Sequence, residues 1–176
     1  MQKKKITLSI MNKIAIVGCP ASGKTTLANK LGSMFNIPVH HLDKIFWVTE
    51  GGIKQDVFIQ QQEELVRGDA WIIDGGFMKS KSYDLRLENA DTIIFFKFPK
   101  QIIYWRLFKR FLKYFNKPRP DMAGNRKDHI NWSIIRFIWS YPSEEEFKRV
   151  SGYSNTKNVI ILCNRKNELA FWESFK

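Results

Sequence analysis

Gly18-Cys19-Pro20-Ala21-Ser22-Gly23-Lys24-Thr25 is a complete G-x-x-x-x-G-K-[ST] stretch, and its flanks decide how it is read. Before it, Lys13-Ile14-Ala15-Ile16-Val17 is short, apolar and partly β-branched, which predicts a strand. After it, Thr26-Leu27-Ala28-Asn29-Lys30-Leu31 opens a helix, with Leu27 and Leu31 on one face at i, i+4. Strand, glycine loop and helix in that order form the context in which this motif cradles phosphate. With glycine near 7% of residues, all four fixed positions match by chance in under ~1% of chains this size. The competing reading is an ordinary strand-to-helix turn carrying a surface lysine.

The residue types follow from the chemistry. Gly18 and Gly23 permit backbone angles closed to other residues and a close approach to an anion. The N–H groups from Gly18 through Thr26 then converge on phosphate, with the positive end of the helix dipole behind them. Lys24 is expected to bridge the β- and γ-phosphates of ATP, and the Thr25 hydroxyl to ligate Mg²⁺.

Strands alternate with helical patterns along the rest of the chain, which predicts a parallel sheet covered on both faces. Strands are expected at 13–18, 39–42, 71–74, 92–96 and 158–162, and helices at about 24–35, 55–67, 100–115, 129–141 and 166–175. Ligands of such sheets lie beyond the carboxyl ends of the strands. The loop, Asp43 and Asp74 all fall there. Asp74, followed by Gly75-Gly76, is read as the carboxylate of the Mg²⁺ shell, or else as a turn cap. Asp43, closing His40-His41-Leu42-Asp43, is read as the group that orients or deprotonates an acceptor, or else as a cap. His40 and His41 alternate faces, so at most one meets the site.

Charge is distributed unevenly over the 176 residues. Residues 97–127 carry +9 of the net +12, ten Lys/Arg against Asp121. Arg106, Arg110, Lys113 and Lys117 share one helical face, and Tyr104, Phe108, Phe111, Leu112 and Phe115 are read as the opposing apolar face. Like charges at those spacings repel by a few tenths of a kcal/mol per pair (~0.2–0.5), so an anion would relieve them. A phosphate clamp, a nucleic-acid surface and a solvated stripe are the three readings. The aromatic run 130–141 is read as core or as cover for a cleft.

Composition bounds the rest. A hydrophobic fraction of 44% excludes a disordered chain. Cys19 and Cys163 have no metal-ligand or redox spacing and fit a reducing cytoplasm, with Cys19 exposed to oxidation in the loop. No stretch approaches the ~18 apolar residues of a membrane span. One domain is expected over 12–176, with 1–11 an extension or misassigned start, acting as monomer or dimer.

The phosphate loop, HLDKIFW, WIIDGGF, ADTIIFFKFP and the R-x-x-x-R helix together resemble the bacterial DNA topology modulation proteins, small P-loop proteins related to adenylate and shikimate kinases. The resemblance runs from about residue 12 to 172. It implies a P-loop NTPase fold of the nucleoside/shikimate kinase type: a five-stranded parallel sheet with helices on both faces, an acceptor segment after the second strand, and an arginine-rich lid near 113–128. It puts Arg106 and Arg110 before the lid and Arg119 within it, as groups that stabilise the transferred charge. Two positions depart from the pattern. The usual Asp-Gly-Asn-Tyr is Asp74-Gly75-Gly76-Phe77 here, and the arginine of adenylate kinase's Asp-Gly-Phe-Pro-Arg is absent, which argues against AMP as acceptor. The function so implied is an Mg·ATP-dependent kinase acting on a small acceptor. The alternative is an ATP-binding regulator of DNA topology or transcription, with nucleic acid on segment 97–127.

Overall fold

In the computed structural model, which describes residues 11–49, 51–114 and 132–175, five strands form one fully parallel sheet. The strands are β1 (Lys13–Gly18), β2 (Val39–His41), β3 (Trp71–Asp74), β4 (Thr92–Phe96) and β5 (Asn158–Leu162). Their spatial order is β2-β3-β1-β4-β5, so the phosphate loop leaves the central strand. The helices are α1 (Lys24–Phe35), α2 (Leu42–Phe46), α3 (Gln55–Arg67), α4 (Ser82–Asn89), α5 (Lys100–Tyr114), α6 (Trp132–Trp139), α7 (Ser143–Ser151) and α8 (Arg165–Glu173).

Parallel strands buried on both faces read as near-continuous apolar runs, and β1, β3 and β4 supply them, with Lys13, Asp74 and Thr92 only at their ends. Alternate residues feed two cores. Ile14, Ile16, Ile72, Ile94, Phe96 and Leu162 pack with Leu27 and Leu31 of α1, Ile103 and Leu107 of α5, and Phe171 of α8. Ala15, Val17, Ile73, Ile93 and Phe95 face the other way, against Phe58 of α3, Tyr83 and Leu87 of α4 and Val150 of α7. The period of two thus converts one sheet into a three-layer sandwich. No helix among the described residues is long and apolar enough to cross a membrane.

The five strands and α1, α3, α5 and α8 stand within about two residues of expectation, the ordinary uncertainty of element ends. The second strand is the exception with consequences. Only Val39–His41 pair with β3, and the chain turns into α2 at Leu42, whose side chain is fully buried beneath Gly75. Asp43 therefore sits in the first turn of a short helix and not at a strand end.

The faces of α5 also differ from the expected ones. Ile103 and Leu107 are its buried residues, whereas Phe108 and Leu112 are exposed. Its sequence, KQIIYWRLFKRFLKY, has apolar residues around most of the cylinder, so more than one stripe satisfies the helical period. Likewise Ile138 of α6 is buried, but Trp132 and Trp139 are 83% and 69% exposed, so the aromatic run is only partly core. Phe115, Lys117, Arg119, most of the expected lid, and residues 1–10 lie outside the described residues.

Candidate active site

The loop has the backbone its glycines predict. Gly18 and Gly23 hold φ values of 128° and 107°, and Ala21 adopts 59°. No side chain caps α1, and its first turn carries no acidic residue. A helix start leaves N–H groups without intrahelical acceptors, so this one is open to an anion. The Ser22 hydroxyl is buried in the loop without a partner. Lys24 is nearly buried and donates to the Cys19 carbonyl at 2.8 Å. That bond closes the loop on itself with the ammonium at its centre.

Asp74 reaches the loop across the sheet. Its Oδ2 accepts from Thr25 Oγ1 at 2.7 Å and lies 3.0 Å from His41 Nδ1. The other ring nitrogen of His41 lies 3.0 Å from Asn29 Oδ1, one turn beyond Thr25 on α1. Asp74 is only 5% exposed, and His40 on the alternate face takes no part in these bonds. Burial, then the neighbouring His41, lowers the His40 pKa.

Behind Asp74 the turn Gly75-Gly76-Phe77 is held from the opposite core. Arg86 of α4 is fully buried and donates to the Gly75 and Gly76 carbonyls, each at 2.8 Å, and to Ser82 at 3.3 Å. Burial pushes its guanidinium down to about 10. Phe77 takes a φ of 51°, and its ring packs on Phe46 and Phe58. Phe46 is thereby packing, and Trp47 stands edge-on to it at 4.8 Å. A Cβ on Gly75 would lie 2.7 Å from Leu42 Cβ, so glycine is required for the close approach.

Arg106 approaches the loop from α5. It donates to the Ser22 carbonyl and pairs with Glu168 of α8 at 2.8 Å, and its guanidinium lies 4.0 Å from the Phe98 ring centroid. Its Nη1 would lie 3.0 Å from a Cβ on Gly23. The structure thus brings Lys24, Thr25, Asp74 and Arg106 together around Gly18–Thr25. Asp43 is exposed in α2, and Arg110 is half-buried one turn beyond Arg106 on α5. Cys19 is buried, and burial, opposed by Lys24, raises its thiol to about 11. Burial and the raised pKa both lower its thiolate fraction, and so its reactivity, relative to an exposed loop cysteine.

Sequence reasoning missed His41, Asn29, Arg86 and Glu168 as members of this constellation. The face alternation of His40-His41 was the available signal for the first. The others depend on which helix faces which strand.

The five-stranded parallel sheet with its helices superposes on solved kinase structures over most of its length. The fold is that of a P-loop kinase. Shikimate kinase from Acinetobacter baumannii, solved with shikimate, superposes with a TM-score of 0.57 at 15% identity, covering 94% of this chain and 95% of that one. Shikimate kinase from Bacteroides thetaiotaomicron gives 0.53 at 15%, covering 94% and 96%. A sugar kinase from Janibacter sp. gives 0.52 at 16%, covering 88% and 86%. No family model and no curated protein matches the chain. At these identities the likeness establishes the fold and leaves the activity to the site.

Proposed function

We propose that this chain binds Mg·ATP and transfers the γ-phosphoryl group to a small hydroxyl- or phosphate-bearing acceptor. The observation that carries the reading is the 2.7 Å contact between Thr25 and Asp74 beside an uncapped helix start. A hydroxyl and a carboxylate are the hard oxygen donors that Mg²⁺ takes alongside phosphate oxygens and water. When bound, the ion neutralises charge on the phosphates.

The chain's own groups do the positioning. Loop amides and Lys24 hold the phosphates, and Thr25 and Asp74 hold the metal side of the nucleotide. Arg106, fixed to the loop through Ser22, places a positive charge beside it. Such a site accelerates transfer by alignment and by preset electrostatics rather than by covalent chemistry. Asp43, on α2, is assigned to the acceptor, and Arg110, on α5, and Arg119 to the charge that develops on the transferred group.

Calorimetric titration with ATP in MgCl₂ tests the donor half: Lys24→Ala is expected to weaken binding by ~10- to 100-fold, as loss of a charged partner of about 1.5–3 kcal/mol implies. Full affinity in that variant overturns the assignment. Incubation with γ-labelled ATP and a panel of polyols, nucleosides and nucleotides tests the acceptor half. Label that appears only in inorganic phosphate would reassign the chain as a hydrolase.

A second reading follows from the +9 carried by residues 97–127 and from the resemblance to DNA topology modulation proteins: ATP binding that controls attachment to nucleic acid. It requires duplex affinity that falls steeply with salt. Absence of binding at low salt removes it.

A further inference from the structure

We propose that His41 is a positioning residue of the nucleotide-metal site: its ring fixes the Asp74 carboxylate for the cation, and Asn29 fixes the ring. The inference rests on the Mg·ATP reading and adds the groups that set the carboxylate's orientation. It concerns a side chain the transfer chemistry itself does not use.

Four residues form a frame between two strands and a helix. His41 and Asp74 are register partners on β2 and β3, so their side chains leave the sheet on the same side. Thr25 and Asn29 are one turn apart on α1, which packs on that side. The frame closes through three contacts: Thr25 Oγ1 to Asp74 Oδ2 at 2.7 Å, His41 Nδ1 to the same oxygen at 3.0 Å, and His41 Nε2 to Asn29 Oδ1 at 3.0 Å. A carboxylate oxygen accepts from Nδ1–H, so Nε2 is the accepting nitrogen of the ring, and the Asn29 amide meets it with its NH₂ group, its oxygen and nitrogen being interchangeable in position. A ring held at both nitrogens loses both contacts when it turns. Two donors on one oxygen, arriving from a helix and from a strand, fix both the tilt and the plane of the carboxylate.

A filler of the space beneath β2 would need only an apolar side chain. The imidazole instead places its donor on the one carboxylate that contacts the loop threonine, and its far nitrogen on a second α1 residue. Groups that orient a metal-binding side chain in this way typically govern metal affinity by ~10- to 100-fold.

The test reads the coupling between metal and nucleotide, not turnover. The quantity is the ratio of the ATP dissociation constant in EDTA to that in saturating MgCl₂, measured by calorimetry on the full chain. His41→Leu is expected to lower this ratio by ~10-fold or more, while the affinity in EDTA stays within about threefold because the loop and Lys24 are untouched. His41→Asn restores the ratio to within about threefold of wild type, since the asparagine Nδ2 stands where the histidine Nδ1 stood. Wild-type protein without ATP binding, or with a ratio of one, overturns the Mg·ATP reading itself. A wild-type ratio well above one that His41→Leu leaves unchanged overturns only the role of His41. So does an equal loss in EDTA and MgCl₂, or a His41→Asn variant as impaired as His41→Leu, because either marks a packing role.

Discussion

Gly18→Ala is the substitution whose cost the structure defines best. Gly18 ends β1 at a φ of 128°, where a side chain is strained, and a Cβ there would lie 2.7 Å from the Phe96 carbonyl oxygen and 3.1 Å from Phe96 Cβ. Phe96 is buried and is the register partner of Gly18 in the β1–β4 ladder, so the obstructing atom belongs to the middle of the sheet. Backbone strain of ~1–3 kcal/mol and overpacking of ~1–3 kcal/mol together give about 2–6 kcal/mol. For a chain this size that lowers Tm by roughly 5–20 °C. Gly51→Ala is the matched control: nothing stands within 4 Å of its Cβ, and its φ is outside the left-handed region. It is expected to change stability by no more than ~0.5 kcal/mol. Urea unfolding of both variants, with m unchanged, measures the difference. A Gly18→Ala cost below ~1 kcal/mol would refute the reasoning, because positive φ and the 2.7 Å approach could not both hold.

Arg86→Met keeps the buried volume but leaves the Gly75 and Gly76 carbonyls without their donors, at ~1–3 kcal/mol each. Part of that is recovered because no charge is buried, and the net expectation is a loss of ~1–3 kcal/mol in urea; a more stable variant would contradict it. The Tyr83 and Tyr141 phenols both donate to the buried Glu146 carboxylate, at 2.8 and 2.7 Å, and burial followed by Glu146 raises both pKa values. Because the native state holds these protons more tightly, their contribution to stability is intact below the unfolded phenol pKa near ~10 and falls as pH rises above it. Ultraviolet titration should show these two tyrosines ionising only together with loss of structure; reversible ionisation in the folded protein would refute this. For Cys19, raised to about 11, the same sign applies. Its alkylation by iodoacetamide should stay slow through pH 9, and rapid labelling of native protein at pH 8 would show that the thiol is not buried as described.

The sequence made the sheet legible because each strand is either continuously apolar or ends on a residue with its own signal. Ile14 to Gly18, Trp71 to Asp74 and Thr92 to Phe96 all carry that mark. The backbone of the Gly18–Thr25 loop was legible for a related reason: the positive φ angles of Gly18 and Gly23 fall where the spacing marks glycine. What stayed hidden depends on side-chain burial against composition. Helix α4 reads as polar, yet it buries Arg86, and α7 reads as charged, yet it buries Glu146 under two tyrosines. Neither helix was anticipated. Asp43 was displaced from the strand end because Leu42, an apolar residue continuous with the strand, goes beneath Gly75 instead of extending the ladder. On α5, Phe108 and Leu112 gave a periodic signal as good as that of Ile103 and Leu107, and only the packing against the sheet chose between them.

The pairing of His41 with Asp74 has a bearing on how purified protein is assayed. A one-residue slip of β2 against β3 would turn His41 to the opposite face while Asp74 stayed, so the pair forms only in the native register. A molecule therefore has no route to a native sheet with this pair half assembled. If the chain binds Mg·ATP as proposed, the number of nucleotide sites per chain found by titration should equal the natively folded fraction of a preparation. Stoichiometry, rather than affinity, becomes the measure of sample quality.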